Sequence, residues 1–329
     1  MTEYLESSAD NIRFNGTGRV YIGDVAGSSF RDLGELDGLN FNLAVTTETL
    51  KTNRTADRSI IKEKETEREG SLSFGLQEQT EQNLLMALLG TSVSSDNQTA
   101  SYVADTAVTL VDDEYVDLGH LNVFVTKLSG TITGTVECGD SVTGDSSGAT
   151  GDIAWTESGL VELVNVSGTF TSGEKAEVDG SNYITISGIE TAEDVVVVDA
   201  AIGSGTPTTR YVNGTDYSLD ADYGYLRMLS AGSITSPAYV SYDYEAVTRN
   251  NFYAMSASSV QKKVIVVTDK DDDGPRMRYT FHKVNIKMNG DWSLIGDGPA
   301  PIPMEGTVVK DTSQASGQEY YKTEVMGAS

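Results

Sequence analysis

The sequence predicts a mainly β chain with one short helix, and three observations carry that reading. Apolar and polar residues alternate at period two near both ends, short apolar runs broken by Gly, Asp, Asn and Ser fill the middle, and a single segment has helical spacing. With 329 residues, and 33 Gly against 6 Pro, the chain is long enough for two or three domains that each bury a core. Charge places the boundaries. Residues 1–99 carry 9 basic and 16 acidic side chains, 100–250 carry 5 and 23, and 251–329 carry 9 and 10. The two ends are alike, and the middle holds −18 of the net charge of −26. Segments 1–99 and 251–329 therefore read as one discontinuous domain, interrupted by a second at 100–250.

The first strand is Arg19-Val20-Tyr21-Ile22. In the next, Leu39, Phe41, Leu43 and Val45 alternate with Asn40, Asn42, Ala44 and Thr46, the pattern of a half-buried strand with a small polar second face. Between Thr46 and Gly70 the pattern gives way to a mixed-sign charged tract in which only Leu50, Ile60 and Ile61 are large and apolar. It reads as a long loop, and composition leaves two roles open for it: a solvated charged face, or a mobile element that becomes ordered on a neighbouring copy. Leu72, Phe74 and Leu76, alternating with Ser71, Ser73 and Gly75, resume the strand pattern. Thr80 is the expected cap of the helix. Glu81 lies in its first turn, Leu84, Leu85, Leu88 and Leu89 form its apolar face, and Gly90 ends it.

The middle is all β, with apolar runs at 107–111, 123–128, 160–166, 195–198 and 239–244 at the spacing of a sandwich. Leu128-Ser129-Gly130-Thr131 returns as Val166-Ser167-Gly168-Thr169 at an offset of 38, a faint internal repeat. Near the C-terminus, Val264–Thr268 and Arg276–Met288 read as a long hairpin around the acidic turn Asp269–Pro275. Met277, Tyr279 and Phe281 have one parity and Val284, Ile286 and Met288 the other. One core can take both sets only if a bulge falls near His282 and Lys283.

The chain is poor in catalytic material. One cysteine, Cys138, excludes an intramolecular disulfide or a cysteine zinc cage, and His120 and His282 stand far apart. Asp269, Asp271, Asp273 and Gly274 open like a calcium loop, but its twelfth position is Thr280 rather than a bidentate Glu, and strands flank it. Gly144-Asp145-Ser146-Ser147-Gly148 has the letters of a nucleophile elbow without the buried strand and helix it needs. These patterns predict no enzyme, no metal and no cofactor. The acidic excess opposes tight binding to phosphate backbones, and is suited to a surface past which nucleic acid slides. No stretch of about 18 apolar residues could span a bilayer, and the acidic start Met1–Glu6 lacks the features of an export signal.

Leu33-Gly34-Glu35-Leu36-Asp37-Gly38-Leu39, then Val45-Thr46-Thr47-Glu48-Thr49-Leu50, a charged tract, Gly70-Ser71-Leu72-Ser73-Phe74 and Asn83-Leu84-Leu85-Met86-Ala87-Leu88-Leu89-Gly90 resemble the tail tube proteins of long-tailed bacteriophages. Asp291-Trp292, and Pro303-Met304-Glu305-Gly306 leading into Val308-Val309-Lys310-Asp311, look like that family's closing strands. Tyr211-Val212-Asn213-Gly214-Thr215-Asp216-Tyr217, with Gly224-Tyr225-Leu226 and Val240-Ser241-Tyr242, is similar to an Ig-like module inserted in such proteins. The segment from Gly139 to Phe170 looks like a small β module of phage virion proteins, here at about 137–205.

The resemblance implies a tail-tube β-sandwich or barrel-forming domain carrying an outer, inserted Ig-like domain. Subunits would form rings, generally hexameric, that stack into the conduit for genome ejection. Implied partners are further copies of the chain and the phage's tape measure, tail terminator and baseplate proteins. Double-stranded DNA would be met only in transit, and no membrane is involved. The location would be the virion tail, assembled in the cytoplasm of the host bacterium. The Thr46–Gly70 tract would reach the adjacent ring with Leu50, Arg54, Arg58, Ile60, Ile61, Lys62, Lys64 and Arg68. Asn40, Asn42, Ala44, Ser71, Ser73 and Gly75 would line the lumen, provided that Leu39, Phe41, Leu43, Leu72, Phe74 and Leu76 bury against the helix. The competing class is a virion decoration or adhesin protein that grips cell-surface carbohydrate through its Ig-like domain.

Overall fold

The computed structural model describes residues 17–54, 56–202, 207–269 and 276–326. Met1–Glu6, and the acidic turn beyond Asp269 with its calcium-like spacing, lie outside the described residues. The chain divides into two compact units, one of residues 1–94 with 251–329 and the other of residues 95–250.

The first unit opens with β1 (Gly18–Asp24), β2 (Phe30–Asp32), β3 (Leu36–Lys51), β4 (Ile60–Leu76) and α1 (Glu81–Ala87). Thr80 caps α1 as the sequence predicts, its hydroxyl accepting from the Asn83 amide. The stop differs. Leu89, not Gly90, takes the left-handed conformation at φ 54°, and the Gly90 amide closes the end on the Leu85 carbonyl at 2.7 Å. The buried side of α1 is Asn83, Met86 and Ala87, with the leucines only half-buried. Asn83 is fully buried because its amide nitrogen donates to the carbonyls of Leu33 and Glu78, both at 3.0 Å, tying the helix to the chain on either side.

The chain leaves through β5 (Ser94–Ser95) and enters the second unit. Its strands are β6 (Ser101–Val108), β7 (Tyr115–Asp117), β8 (Val123–Thr133), β9 (Ser141–Gly144), β10 (Thr150–Glu157), β11 (Leu160–Ser167), β12 (Lys175–Glu177), β13 (Tyr183–Ala192), β14 (Val196–Val198), β15 (Arg210–Tyr211), β16 (Tyr217–Asp220), β17 (Tyr225–Met228) and β18 (Ala238–Tyr244). Pairing runs β8-β11-β10-β9-β12-β13 and returns to β8, which closes a six-stranded barrel. Leu128, Ile153, Val161, Leu163, Ile184 and Ile186 fill it. The barrel begins at Val123, ahead of the module the sequence marks at 137–205. Beside it, strands β6, β18, β14 and β15 share a second core with the small β16-β17-β7 sheet, where Val196, Val240, Leu226 and Tyr217 meet. That layer pair answers the predicted sandwich, and β8 serves both cores. The apparent 38-residue repeat has no structural counterpart. Its first copy continues β8 to Thr133, while its second leaves β11 at Ser167 through Gly168 at φ 85°.

β19 (Asn250–Asn251) pairs with β5 on the way back. β20 (Val260–Thr268), β21 (Arg276–Met288), β22 (Ile302–Val308) and β23 (Tyr321–Met326) complete a sheet of order β2-β1-β20-β21-β22-β4-β3, with β23 also on β21. Lys262 faces Val284 and Val264 faces Phe281, so His282 and Lys283 form the predicted bulge. It lets Phe281, Val284 and Ile286 enter one core with Leu72, Phe74, Leu76 and Met86. β21 also changes partner there, pairing with β23 before the bulge and with β22 after it.

Candidate functional site

The charged tract is a strand pair and not a loop. β3 runs on to Lys51 and β4 starts at Ile60, so the predicted loop Thr46–Gly70 shrinks to a tip at 52–59, with Arg54 and Arg58 in it. Thr, Glu and Lys alternating at period two can pair as well as apolar residues do when charges oppose across the ladder. Glu48 stands opposite Lys64, and Leu50 opposite Lys62. A bulge at Thr66, whose hydroxyl donates to the Thr46 carbonyl, shifts the parity of β4. Lys62 and Lys64 then fall on the face of Asn40 and Asn42, and Glu63 and Glu65 on the other. Arg68 pairs with Glu65.

The expected apolar anchors are bare. Leu50, Ile60 and Ile61 are 59%, 57% and 63% exposed. The expectation that Leu39, Phe41, Leu43, Leu72, Phe74 and Leu76 all bury against α1 holds for the β4 residues and fails along β3. Leu39 is half-buried, while Phe41, Leu43 and Val45 are exposed, because the core of the unit takes in only the inner end of β3, at Leu36 and Leu39. Phe41 instead packs edgewise on Phe281 and Tyr321, ring centres 5.2 and 5.3 Å away. Leu43 and Val45 thus form a bare apolar patch beyond the core, set apart from Leu50, Ile60 and Ile61 at the tip by Thr47, Thr49, Glu63 and Glu65.

The six expected lumen residues lie together on one face. Asn40 stands opposite Ser73, Asn42 opposite Ser71, and Gly75 opposite Asp37, while Ala44 stands opposite Glu69. Across the next ladder Ser71, Ser73 and Gly75 face Thr307, Glu305 and Pro303. Lys287 and Asn285 on β21 continue the row, and Lys287 pairs with Glu305 at 3.5 Å. Small and polar side chains therefore run across four neighbouring strands of an open sheet.

The second unit holds a charge cluster that the sequence does not reveal. Glu162, completely buried on β11, pairs with Arg210 on β15 and with Lys127 on β8 at 3.2 Å. Asp194 bonds the same two cations at 3.1 Å and accepts from the Tyr217 hydroxyl at 2.8 Å. Burial pushes Asp194 up, but Tyr217, Arg210 and Lys127 outweigh it and hold the carboxyl below its usual range. Every charge in the cluster is matched, so it is a structural knot between the two cores and not a reactive centre.

Asp243 is different. Its buried carboxylate accepts from the amides of Asn165 at 2.6 Å and Val166 at 3.4 Å. Burial outweighs these bonds, and with Asp152 nearby raises its pKa from 3.8 to about 6. A folded pKa above the unfolded one means that protonation favours the fold, so this contribution is complete below about pH 4 and is lost as pH rises through 6. Between pH 7 and 4.5 the native protein should gain on the order of 2 kcal/mol relative to Asp243→Asn. Urea unfolding of both proteins at the two pH values measures it, and parallel curves would reject it.

Among the described residues no three metal-ligating side chains cluster, and no helix is long and apolar enough to cross a membrane. What remains is a protein of strand edges and faces: an open sheet with a projecting hairpin, and a closed barrel in an inserted unit. Its residues 13–178 and 161–322 match the model of the family described as "Protein of unknown function UCP028589", and the chain belongs to that family. No curated protein gives a significant match.

Proposed function

We propose that this chain is the tail tube subunit of a long-tailed bacteriophage, which polymerises as stacked rings, hexameric by resemblance, into the conduit for genome ejection. The observation that carries the reading is the β3–β4 hairpin. It projects the apolar anchors Leu50, Ile60 and Ile61 past the core of its own unit, on the edge of an open sheet. An edge strand with uncovered apolar residues is a template for another chain. The adjoining polar face suits a lumen: Asn40, Asn42, Ala44, Ser71, Ser73 and Gly75 are small and uncharged, and the lysines on that face stand opposite or beside carboxylates, Lys64 at Glu48 and Lys287 at Glu305. The inserted unit, whose residues 100–250 hold −18 of the charge, is assigned to the outside, where like charges spread apart.

Negative-stain microscopy of the purified protein tests the proposal, with rings or tubes expected. A protein that stays monomeric at high concentration while it binds bacterial surface glycan would overturn it in favour of an adhesin. Because β5 and β19 pair, residues 95–250 can be replaced by a short linker. The shortened chain should still form tubes, and a folded but non-polymerising product would place the inserted unit in the ring contact.

A further inference from the structure

The inserted unit has a cleft of about 530 Å³ that opens between strands β6, β18 and β8 and the end of β11. Asp243 lines it from β18 and is only 5% exposed. Tyr102 stands opposite Asp243 on β6, and Phe124 opposite it on β8. Residues directly opposite share a face of the sheet, so two aromatic rings flank one carboxylate, and all three line the cleft. Thr126 and Thr191, opposite each other on β8 and β13, add hydroxyls to the same wall.

The amides that bind Asp243, from Asn165 at 2.6 Å and Val166 at 3.4 Å, account for its position and leave its charge unmatched. The other buried carboxylates of the unit are provided for. Glu162 and Asp194 pair with Arg210 and Lys127. Glu174 accepts from the amides of Ser146, Ser147 and Thr171 and from the Ser147 hydroxyl. Asp216 accepts from the amides of Val212 and Ser233 and from the Ser233 hydroxyl. At Asp243, by contrast, a second carboxylate, Asp152, adds to the negative potential. Among the described residues no Lys, Arg or His lines the cleft.

A carboxylate has about four lone-pair sites, so beyond these two amides Asp243 can still accept from a donor that enters the cleft. A buried anion is ordinarily paired. An ammonium group flanked by two rings supplies the missing charge, N–H donors and a cation–π contact at once. We propose that this cleft binds a primary ammonium group, borne by a free alkylamine or by a lysine side chain, with Asp243 as counter-ion, Tyr102 and Phe124 as walls and Thr126 and Thr191 as further acceptors. The site lies in the inserted unit and does not depend on the ring reading above.

The test titrates the full-length protein at neutral pH with n-pentylamine, and with 1-pentanol as the uncharged control of equal length, read by saturation-transfer NMR of the ligand. Pentylamine should bind saturably and pentanol should not. Asp243→Asn, which keeps an acceptor for the Asn165 amide, should weaken binding by roughly tenfold or more. Tyr102→Ala, at an exposed position, should weaken it by roughly fivefold with the melting curve unchanged. Tyr102→Phe should bind as the native protein does, because the ring and not the hydroxyl makes the contact. A parallel titration with Nα-acetyl-lysine methylamide separates the sources: tighter binding than pentylamine assigns the site to a lysine side chain, and weaker binding to a free amine. Pentylamine binding that survives both Asp243→Asn and Tyr102→Ala would be diffuse attraction to an acidic surface and would overturn the site, as would equal binding of pentanol or no binding at all. Any of these results leaves the tube reading to its own test.

Discussion

Cutting the hairpin back to Thr46 and Glu67, joined by Asn-Gly, should abolish tube growth while the sheet unfolds at its usual denaturant concentration. Those residues face each other in the ladder, and Asn-Gly suits a two-residue turn between twisted strands. The truncation leaves Leu72, Phe74 and Leu76 in place, so the core loses nothing. What it removes is Leu50, Ile60 and Ile61, and burying one such side chain is worth about 2 kcal/mol. Losing a single anchor, as in Ile61→Asp, should therefore raise the critical concentration by roughly tenfold or more. Salt should slow growth, because Lys62, Lys64, Arg54 and Arg58 would meet acidic groups on the neighbour. Trypsin offers an independent reading: it should cut the free subunit first at Arg54 and Arg58 and spare both in tubes. Unchanged polymerisation of the truncated chain, or equal cleavage in both states, would remove the hairpin from assembly.

Arg210→Ala should destabilise the inserted unit by about 3–5 kcal/mol, the cost of stranding a buried charge. Glu162 is completely buried and Asp194 nearly so, and without Arg210 only Lys127 faces them. Glu162→Ala should cost a similar amount, because it leaves Arg210 beside a single carboxylate. The double variant should cost less than the two losses added, since each single change includes the penalty of the partner left behind. Guanidinium unfolding followed by tryptophan fluorescence in a Trp292→Phe background reports the unit, because Trp155 lies against its core and Trp292 against that of the other unit. Single variants within about 0.5 kcal/mol of the native protein would contradict the coupling.

The extent to which this structure is legible in the sequence depends on what each residue tells of its neighbours. The α1 cap, the alternation of β4 and the bulge at His282 and Lys283 are local patterns, set by period and parity, and each can be read directly. The outer hairpin was hidden because Thr, Glu and Lys give no apolar period, and its strand character comes from pairing with a partner some twenty residues away, as in Glu48 opposite Lys64. Barrel closure was hidden for a related reason: the β8–β11 pairing joins Leu128 to Val161, and nothing in either segment names the other. The charge knot is harder still. Lys127, Glu162, Asp194 and Arg210 look like solvated surface residues until topology brings β8, β11, β15 and the β13–β14 connection together. In the candidate site the residue types are readable, Asn40 and Ser73 among them, whereas the exposure of Phe41 and Leu43 depends on how far along β3 the core reaches, and it stops at Leu39.

The change of partner along β21 has a mechanical consequence. Force along the strand axis loads both of its ladders in shear, so that many hydrogen bonds resist together. Force on the chain beyond β23 acts otherwise, because Met326 faces Arg276 and Tyr321 faces Phe281. A pull there opens β23 one pair at a time, like a zipper, and the peeling stops at the bulge. The pull then passes through residues 309–320 to Val308, and so meets the β21–β22 ladder at Val284. The bulge thus splits the response to tension in two: the last strand yields first, and β22, held between β21 and β4, resists after it.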